Sequence, residues 1–240
     1  MSGVLYGLGL GPGDPELVTM KAVRLLRGAD LVAYPTARAG TGVSLSIIQP
    51  YLEERQELLP LVYPVTAGPG ADAPEYRQRI DDFYDETAEV MAVQLAKGRS
   101  VALACVGDPF FYGSFMFWYA RLAARFETVV VPGISSILAG PVAARTPLCF
   151  RTQTVTVIPG TLPEDEITRR LKAADAAVIM KLGRTFGKVR KALDAAGLLD
   201  KATYIERASM DEERVLPAAD VEAGTSPYFS IVMVPGGVVE

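Results

Sequence analysis

Histidine is absent from all 240 residues. That removes Ser-His-Asp and Cys-His nucleophilic catalysis, HExxH metal sites and the imidazole proton shuttle. Cysteine is scarce: Cys105 and Cys149 are the two present, too few for a zinc cluster or a disulfide framework. Both have apolar neighbours in sequence, which predicts buried, reduced thiols. A basic excess is missing as well. Twenty-four Lys and Arg against 28 Asp and Glu give a formal charge of −4, which argues against a general nucleic-acid partner. No apolar run approaches the roughly 18 residues of a membrane span. The N-terminus lacks the basic start and apolar stretch of a secretory signal. The expectation is a soluble, cytoplasmic protein with no metal and no membrane partner.

Half of the residues are hydrophobic and 22% are charged, the balance of a chain that folds around a core. Strand and helix signals alternate from the start. Val4–Leu8 reads as a strand closed by the turn Gly9–Asp14, and Pro15–Gly28 as a helix with Leu17, Met20, Val23, Leu25 and Leu26 on its stripe. Strands follow at Leu31–Tyr34 and Ser100–Val106, with a short helix near Ser44–Leu52, a loop from Pro64 to Pro74 and a long helix over Pro74–Lys97. Ser114–Arg125 is helical and Thr128–Val131 extended. Beyond them come strands at Thr152–Ile158, Ala176–Lys181, Thr203–Arg207 and Tyr228–Val234, with helices at Pro163–Ala174 and Thr185–Ala196. This grammar predicts an α/β fold: two similar-sized domains with mixed sheets, residues 1–125 and 126–240, and a ligand cleft between them.

Three segments can carry chemistry. Gly7-Leu8-Gly9-Leu10-Gly11-Pro12-Gly13-Asp14 lies on a strand-to-helix turn, where missing Cβ atoms allow close approach of a ligand. The dinucleotide pattern G-x-G-x-x-G fails there, at Pro12 or at Asp14 depending on the frame. No Lys-Ser or Lys-Thr follows to make a phosphate loop, and Asp14 would repel phosphate. Gly107-Asp108-Pro109-Phe110-Phe111-Tyr112-Gly113 follows the strand after the long helix, at a strand end where α/β proteins bind ligands. Val130-Val131-Pro132-Gly133-Ile134-Ser135-Ser136 places two hydroxyls after another strand. Taken singly, these read equally as a tight turn, an Asx-Pro turn and a helix N-cap.

Together, in this order and along essentially the whole chain, they resemble the corrin and porphyrin methylases, which methylate tetrapyrroles with S-adenosylmethionine. The opening G-x-G-P-G-D-P-E-L (Gly9–Leu17), the later G-D-P turn (Gly107–Pro109) and the V-P-G-I-S-S segment (Val131–Ser136) carry that resemblance. Within the family, the opening, Met180-Lys181 and Pro227-Tyr228-Phe229-Ser230 resemble the branch that methylates precorrin-2 at C20. The sequence does not separate the metal-free ring from the cobalt-loaded one, and methylation at another ring position is the close alternative. A non-catalytic module that binds S-adenosylmethionine or a tetrapyrrole is the alternative of a different class.

The resemblance implies S-adenosylmethionine as cofactor, S-adenosylhomocysteine as product and a homodimer as the assembly. It assigns cofactor contacts to Pro12, to Val106, Gly107 and Asp108 around the methionine portion, to Phe111, and to Ser135 and Ser136. Met180 or Lys181 falls where relatives place a methionine against the adenine, Ala208 of Glu206-Arg207-Ala208-Ser209 is an implied adenine contact, and Thr225, Ser226 and Pro227 are implied to close the pocket. The implied substrate is a polycarboxylate, for which Arg38, Arg145, Arg151, Arg184 and Tyr112 are candidate contacts; Arg77, Arg79, Lys188 and Arg190 lie on expected helices and read as solvated. Transfer from a sulfonium to a ring carbon is an in-line displacement that needs no histidine or metal. Positioning alone is worth up to ~7–11 kcal/mol. No residue is identified as a general base.

Overall fold

Apolar stripes of period two and of helical period alternate along the chain, and a computed structural model gives the architecture they build, describing residues 2–64, 74–224 and 226–237. The loop expected over Pro64 to Pro74 lies almost wholly outside these residues, as does Thr225.

The first compact unit is Met1–Ser135. In chain order it holds β1 (Leu5–Gly9), α1 (Met20–Gly28), β2 (Leu31–Thr36), α2 (Val43–Ile48), β3 (Glu57–Val62), α3 (Pro74–Ala96), β4 (Val101–Cys105), α4 (Phe115–Leu122) and β5 (Thr128–Val131). The strands form one sheet in the order β3-β2-β4-β1-β5, and every pairing is parallel. The expected mixed sheet is therefore not found in this half. Strand β4 shows why both faces are covered. Val101, Leu103 and Cys105 face the cluster of Met91, Leu95, Phe115 and Trp118, while Ala102 and Ala104 face that of Leu26, Ile47 and Ile48. Phe115, Trp118 and Leu122 are fully buried on one side of α4, at about 1.5–3 kcal/mol for each such aliphatic or phenyl side chain. The Trp118 indole N–H donates to Thr87 Oγ1 at 2.8 Å.

The single helix expected over Pro15–Gly28 is broken. Asp14 accepts from the Glu16 N–H at 2.8 Å and opens a one-turn 3-10 helix, Pro15–Leu17. Val18 and Thr19 are extended, and the Thr19 hydroxyl then caps α1 through the Ala22 N–H. Strand β3 has no counterpart in the sequence reading because Pro60 interrupts it. A proline is tolerated at a sheet edge, and an edge is where β3 lies.

The second unit is Ser136–Glu240: α5 (Ser136–Ala143), β6 (Val155–Pro159), α6 (Glu164–Lys172), β7 (Ala176–Met180), α7 (Phe186–Ala195), β8 (Thr203–Glu206), β9 (Arg214–Pro217) and β10 (Ser230–Val234). Its sheet, β6-β7-β10-β8-β9, is mixed: β6 and β7 are parallel, and β10 runs antiparallel to both β7 and β8. From sequence α5 is visible only as a helix N-cap reading at Ser135-Ser136, because Gly140 and Pro141 oppose a helix beyond it. A Cβ on Gly140 would lie 2.6 Å from Ile231 Cδ1, so the glycine lets α5 seat against β10. Helix α6 carries Glu164, Asp165 and Glu166 in its first turn and Arg169, Arg170 and Lys172 in its last, complementing the helix dipole. The division at 125/126 expected from sequence differs from that at 135/136 because β5 pairs with β1 in the first sheet.

One device recurs in both units. Asp30, just before β2, accepts from the N–H and the hydroxyl of Ser100, just before β4, both at 2.8 Å. Asp175, just before β7, does the same to Thr154, just before β6, at 2.9 and 2.8 Å. Each carboxylate is held below its ordinary pKa by these bonds, the backbone N–H first. They fasten the amino ends of parallel strands and leave the carboxyl ends to the turns. The thiols divide: Cys105 is buried and its pKa raised, mainly by desolvation. Cys149, expected buried, is exposed, because it lies in the loop between α5 and β6.

Candidate functional site

In the first unit, the carboxyl ends of β1, β4 and β5 are neighbours, since β1 pairs with both of the others. All three candidate turns leave from these ends, which is where ligands bind in open parallel sheets. They are knitted together. Gly107 N–H donates to Gly11 O at 2.7 Å and Gly11 N–H to Gly107 O at 3.3 Å, a small antiparallel bridge between the first two turns. Asp108 ties in the third: Oδ1 accepts from the Phe110 N–H at 2.9 Å and Oδ2 from the Gly133 N–H at 3.0 Å. The carboxylate is thus committed to backbone donors on two turns. Read from sequence as a cofactor contact, Asp108 is first a clamp that sets the shape of the turns.

Glycine is required at two of these positions for different reasons. A Cβ on Gly133 would lie 2.8 Å from Gly9 C and Cα and closer still to Gly107 O, so the three turns touch backbone to backbone. Gly107 is the opposite case. Its φ is +73° and a Cβ there would meet nothing within 4 Å, so the turn opens on free space. Pro12 is buried, Val106 and Phe111 are partly buried, and Ser135 is partly buried. Tyr112, with φ 55°, is 42% exposed. The segments 9–14, 106–113 and 132–135 contain the carboxylates of Asp14 and Asp108 and no Lys or Arg. That charge suits a cationic ligand and opposes a phosphate. Arg38 is exposed beyond the end of β2.

In the second unit, β7 and β8 run the same way, each antiparallel to β10 between them. Their carboxyl ends bring Met180 and Lys181 to the same edge as Ala208. Lys181, Arg207 and Ser209 all have left-handed backbones, with φ of 58°, 51° and 65°, a costly geometry for residues with a Cβ that concentrates at functional positions. Ala208, between two of them, is 8% exposed. Ser226 reaches this edge through the Tyr204 hydroxyl, 3.1 Å away, and Pro227 follows it. Ser136 begins α5, and Arg184 is exposed just after β7. Arg145 and Arg151, with φ of 51° and 45°, are not brought to that edge. Thr146, Pro147 and Phe150 between them line a hollow of about 520 Å³ with Ala176, Lys201 and Val234, at the amino ends of β7 and β8.

The chain was compared with known proteins. The family model of the tetrapyrrole (corrin/porphyrin) methylases matches residues 4–222. The cobalamin biosynthesis protein CobIJ of Mycobacterium tuberculosis is 51% identical over 98% of this chain, which spans 46% of that relative's length. A precorrin-2 C(20)-methyltransferase from a Sinorhizobium species is 44% identical over 98% of each chain. The cobalt-precorrin-2 C(20)-methyltransferase of Salmonella typhimurium is 31% identical over 98% of this chain and 97% of the relative. Among solved structures, a cobalt precorrin-4 methyltransferase superposes with a TM-score of 0.75 at 23% identity, covering 97% of this chain and 94% of the other. A Thermus thermophilus uroporphyrin-III C-methyltransferase complexed with S-adenosyl homocysteine gives 0.63 at 21% identity, covering 97% and 92%; at these identities the likeness concerns the fold. With the three turns assembled at one sheet edge and a family match over nearly the whole sequence, the chain belongs to the tetrapyrrole (corrin/porphyrin) methylases.

Proposed function

We propose that this chain transfers a methyl group from S-adenosylmethionine to C20 of precorrin-2, giving precorrin-3A in cobalamin biosynthesis. The observation that carries the reading is the open space at Gly107, bounded by turns with acidic and no basic side chains. Phosphate and dinucleotide ligands suit it poorly. A molecule bearing sulfonium and ammonium charges suits it well. Bound S-adenosylmethionine supplies an electrophilic methyl group on its sulfonium. Val106, Gly107 and Asp108 would cradle the methionine portion, with Pro12, Phe111, Ser135 and Ser136 beside it. Met180 or Lys181, Ala208, Ser226 and Pro227 would hold the adenosine.

The chain's own contribution is then placement. The Asp108 clamp fixes the turns before any ligand arrives, so the cost of ordering them is met in folding rather than in binding. Arg38 and Arg184, both exposed, and Tyr112 remain the candidate substrate contacts, at about 1.5–3 kcal/mol for each charge-assisted bond to a carboxylate. Arg145 and Arg151 are not counted with them, because the residues between them line the hollow at the amino ends of β7 and β8. A homodimer and a cytoplasmic location belong to the same proposal and rest on the resemblance alone. Metal-free precorrin-2 is preferred over the cobalt-loaded ring because the relative named for the former is 44% identical and the one named for the latter 31%. The test is anaerobic incubation with each ring and methyl-labelled S-adenosylmethionine, read by mass spectrometry. One labelled methyl gained on precorrin-2 supports the reading. Cofactor binding without methyl gain on either ring would overturn the C20 assignment and send the search to later ring intermediates; methyl gain on none of them would leave a binding module in its place.

A further inference from the structure

Glu206, at the carboxyl end of β8, is the one buried carboxylate among the described residues, 4% exposed. Its Oε2 accepts from the Tyr204 hydroxyl at 2.9 Å, and its Oε1 accepts from Arg214 Nη1 at 3.2 Å. The Tyr204 oxygen lies 3.1 Å from Ser226 Oγ, which lies 2.8 Å from Ser230 Oγ. Ser230 in turn donates to Pro227 O at 2.7 Å. The backbone closes the circuit, with Arg207 N–H donating to Phe229 O at 2.8 Å. The proton count is consistent: Tyr204 gives its hydrogen to Glu206, Ser230 gives its own to Pro227, and Ser226 is left to donate to Tyr204 or to Ser230. The buried carboxylate and the backbone beyond it thus join the segment Ser226–Ser230 to the turn Arg207–Ser209, whose first and last residues have left-handed backbones.

Stability is a poor reason for such an arrangement. Removing a carboxylate from water is costly, and well-packed apolar replacements for buried ionic groups are often neutral or stabilising. Directional acceptors do what apolar packing does less well, holding two irregular segments at one fixed spacing. The residues so held, Ala208 on one side and Ser226 and Pro227 on the other, are those the proposed function gives to adenosine.

We propose that Glu206 is a positioning residue, setting through Tyr204 and Ser226 the spacing of the two segments that form the nucleoside wall of the cofactor site. This rests on the S-adenosylmethionine reading above. The test compares wild type with Glu206→Gln and Tyr204→Phe, at two residues that are given no contact with the cofactor. Binding of S-adenosylhomocysteine and of 5′-methylthioadenosine, which lacks the amino-acid portion, is measured by calorimetry, alongside melting temperature, KM and kcat. Losing one bond of this kind should weaken both ligands by about tenfold and by the same factor. KM for S-adenosylmethionine should rise with kcat within about twofold, the signature of lost uniform binding. Should Glu206→Gln fail to fold, the milder Tyr204→Phe carries the test. Unchanged affinity in folded variants, or a fall in kcat at constant KM, would overturn the inference while leaving the cofactor reading intact. A wild type that binds neither ligand would overturn that reading itself.

Discussion

Two glycines in the same site predict opposite outcomes when replaced by alanine. At Gly133 the new Cβ would be pressed against Gly9 C and Cα at 2.8 Å and against Gly107 O, all backbone atoms that cannot rotate away. Overpacking of this kind costs about 1–3 kcal/mol where side chains can yield, so Gly133→Ala should lose at least about 3 kcal/mol. At Gly107 the Cβ meets nothing within 4 Å, and only the left-handed backbone opposes it, at roughly 1–2 kcal/mol. Gly107→Ala should therefore fold. Its methyl group would occupy the space assigned to the methionine portion, so affinity for S-adenosylhomocysteine should fall at least tenfold, or about 1.4 kcal/mol. Urea unfolding gives the first quantity and titration calorimetry the second. A folded Gly107→Ala variant that binds S-adenosylhomocysteine with wild-type affinity would refute the placement of the ligand at this turn.

Asp108→Ala should lose about 2–4 kcal/mol of stability, because two backbone N–H groups lose a charged acceptor; Asp108→Asn keeps one acceptor oxygen and should fall between, and equal stability of all three in urea would refute the clamp. Asp30 titrates below its ordinary 3.8 in the folded chain because Ser100 donates to it. A depressed folded pKa gives stability that is full above the unfolded value and lost as pH falls through the folded one. The wild type should therefore lose stability below about pH 4, and Asp30→Asn should show a shallower loss in acid melts; parallel curves would contradict it. The proposed homodimer should scatter light as a particle of about 51 kDa, twice the 25.7 kDa chain, and a 25.7 kDa particle at micromolar concentration would exclude it.

Most helices and inner strands were legible because burial imposes a period on the sequence. β4 shows it plainly, with Val101, Leu103 and Cys105 alternating against Ala102 and Ala104. Two of the misses share one cause, residues whose local preference opposes the structure that packing selects. Pro60 concealed the edge strand β3, and Gly140 and Pro141 concealed the body of α5. The three turns were legible as motifs, and their composition alone left a bland reading open for each. What sequence did not disclose was their mutual geometry: the Gly9–Gly133 approach and the Asp108 clamp depend on β1 lying between β4 and β5, a pairing no local pattern encodes. Glu206 stood inside a recognised motif, and Tyr204, two residues before it on β8, shares its face; what sequence did not disclose is its burial and the onward link to Ser226 and Ser230, which depend on β8 lying beside β10. Arg145 and Arg151 were placed by proximity to loops, and only the strand directions show which end of the sheet those loops serve.

The most direct measurement is the carbon NMR spectrum of the product formed anaerobically from precorrin-2 and S-adenosylmethionine carrying a ¹³C-methyl group. The account predicts one new labelled methyl, attached to the meso carbon C20. A label at any other ring carbon, or no label in the ring despite cofactor binding, would contradict it.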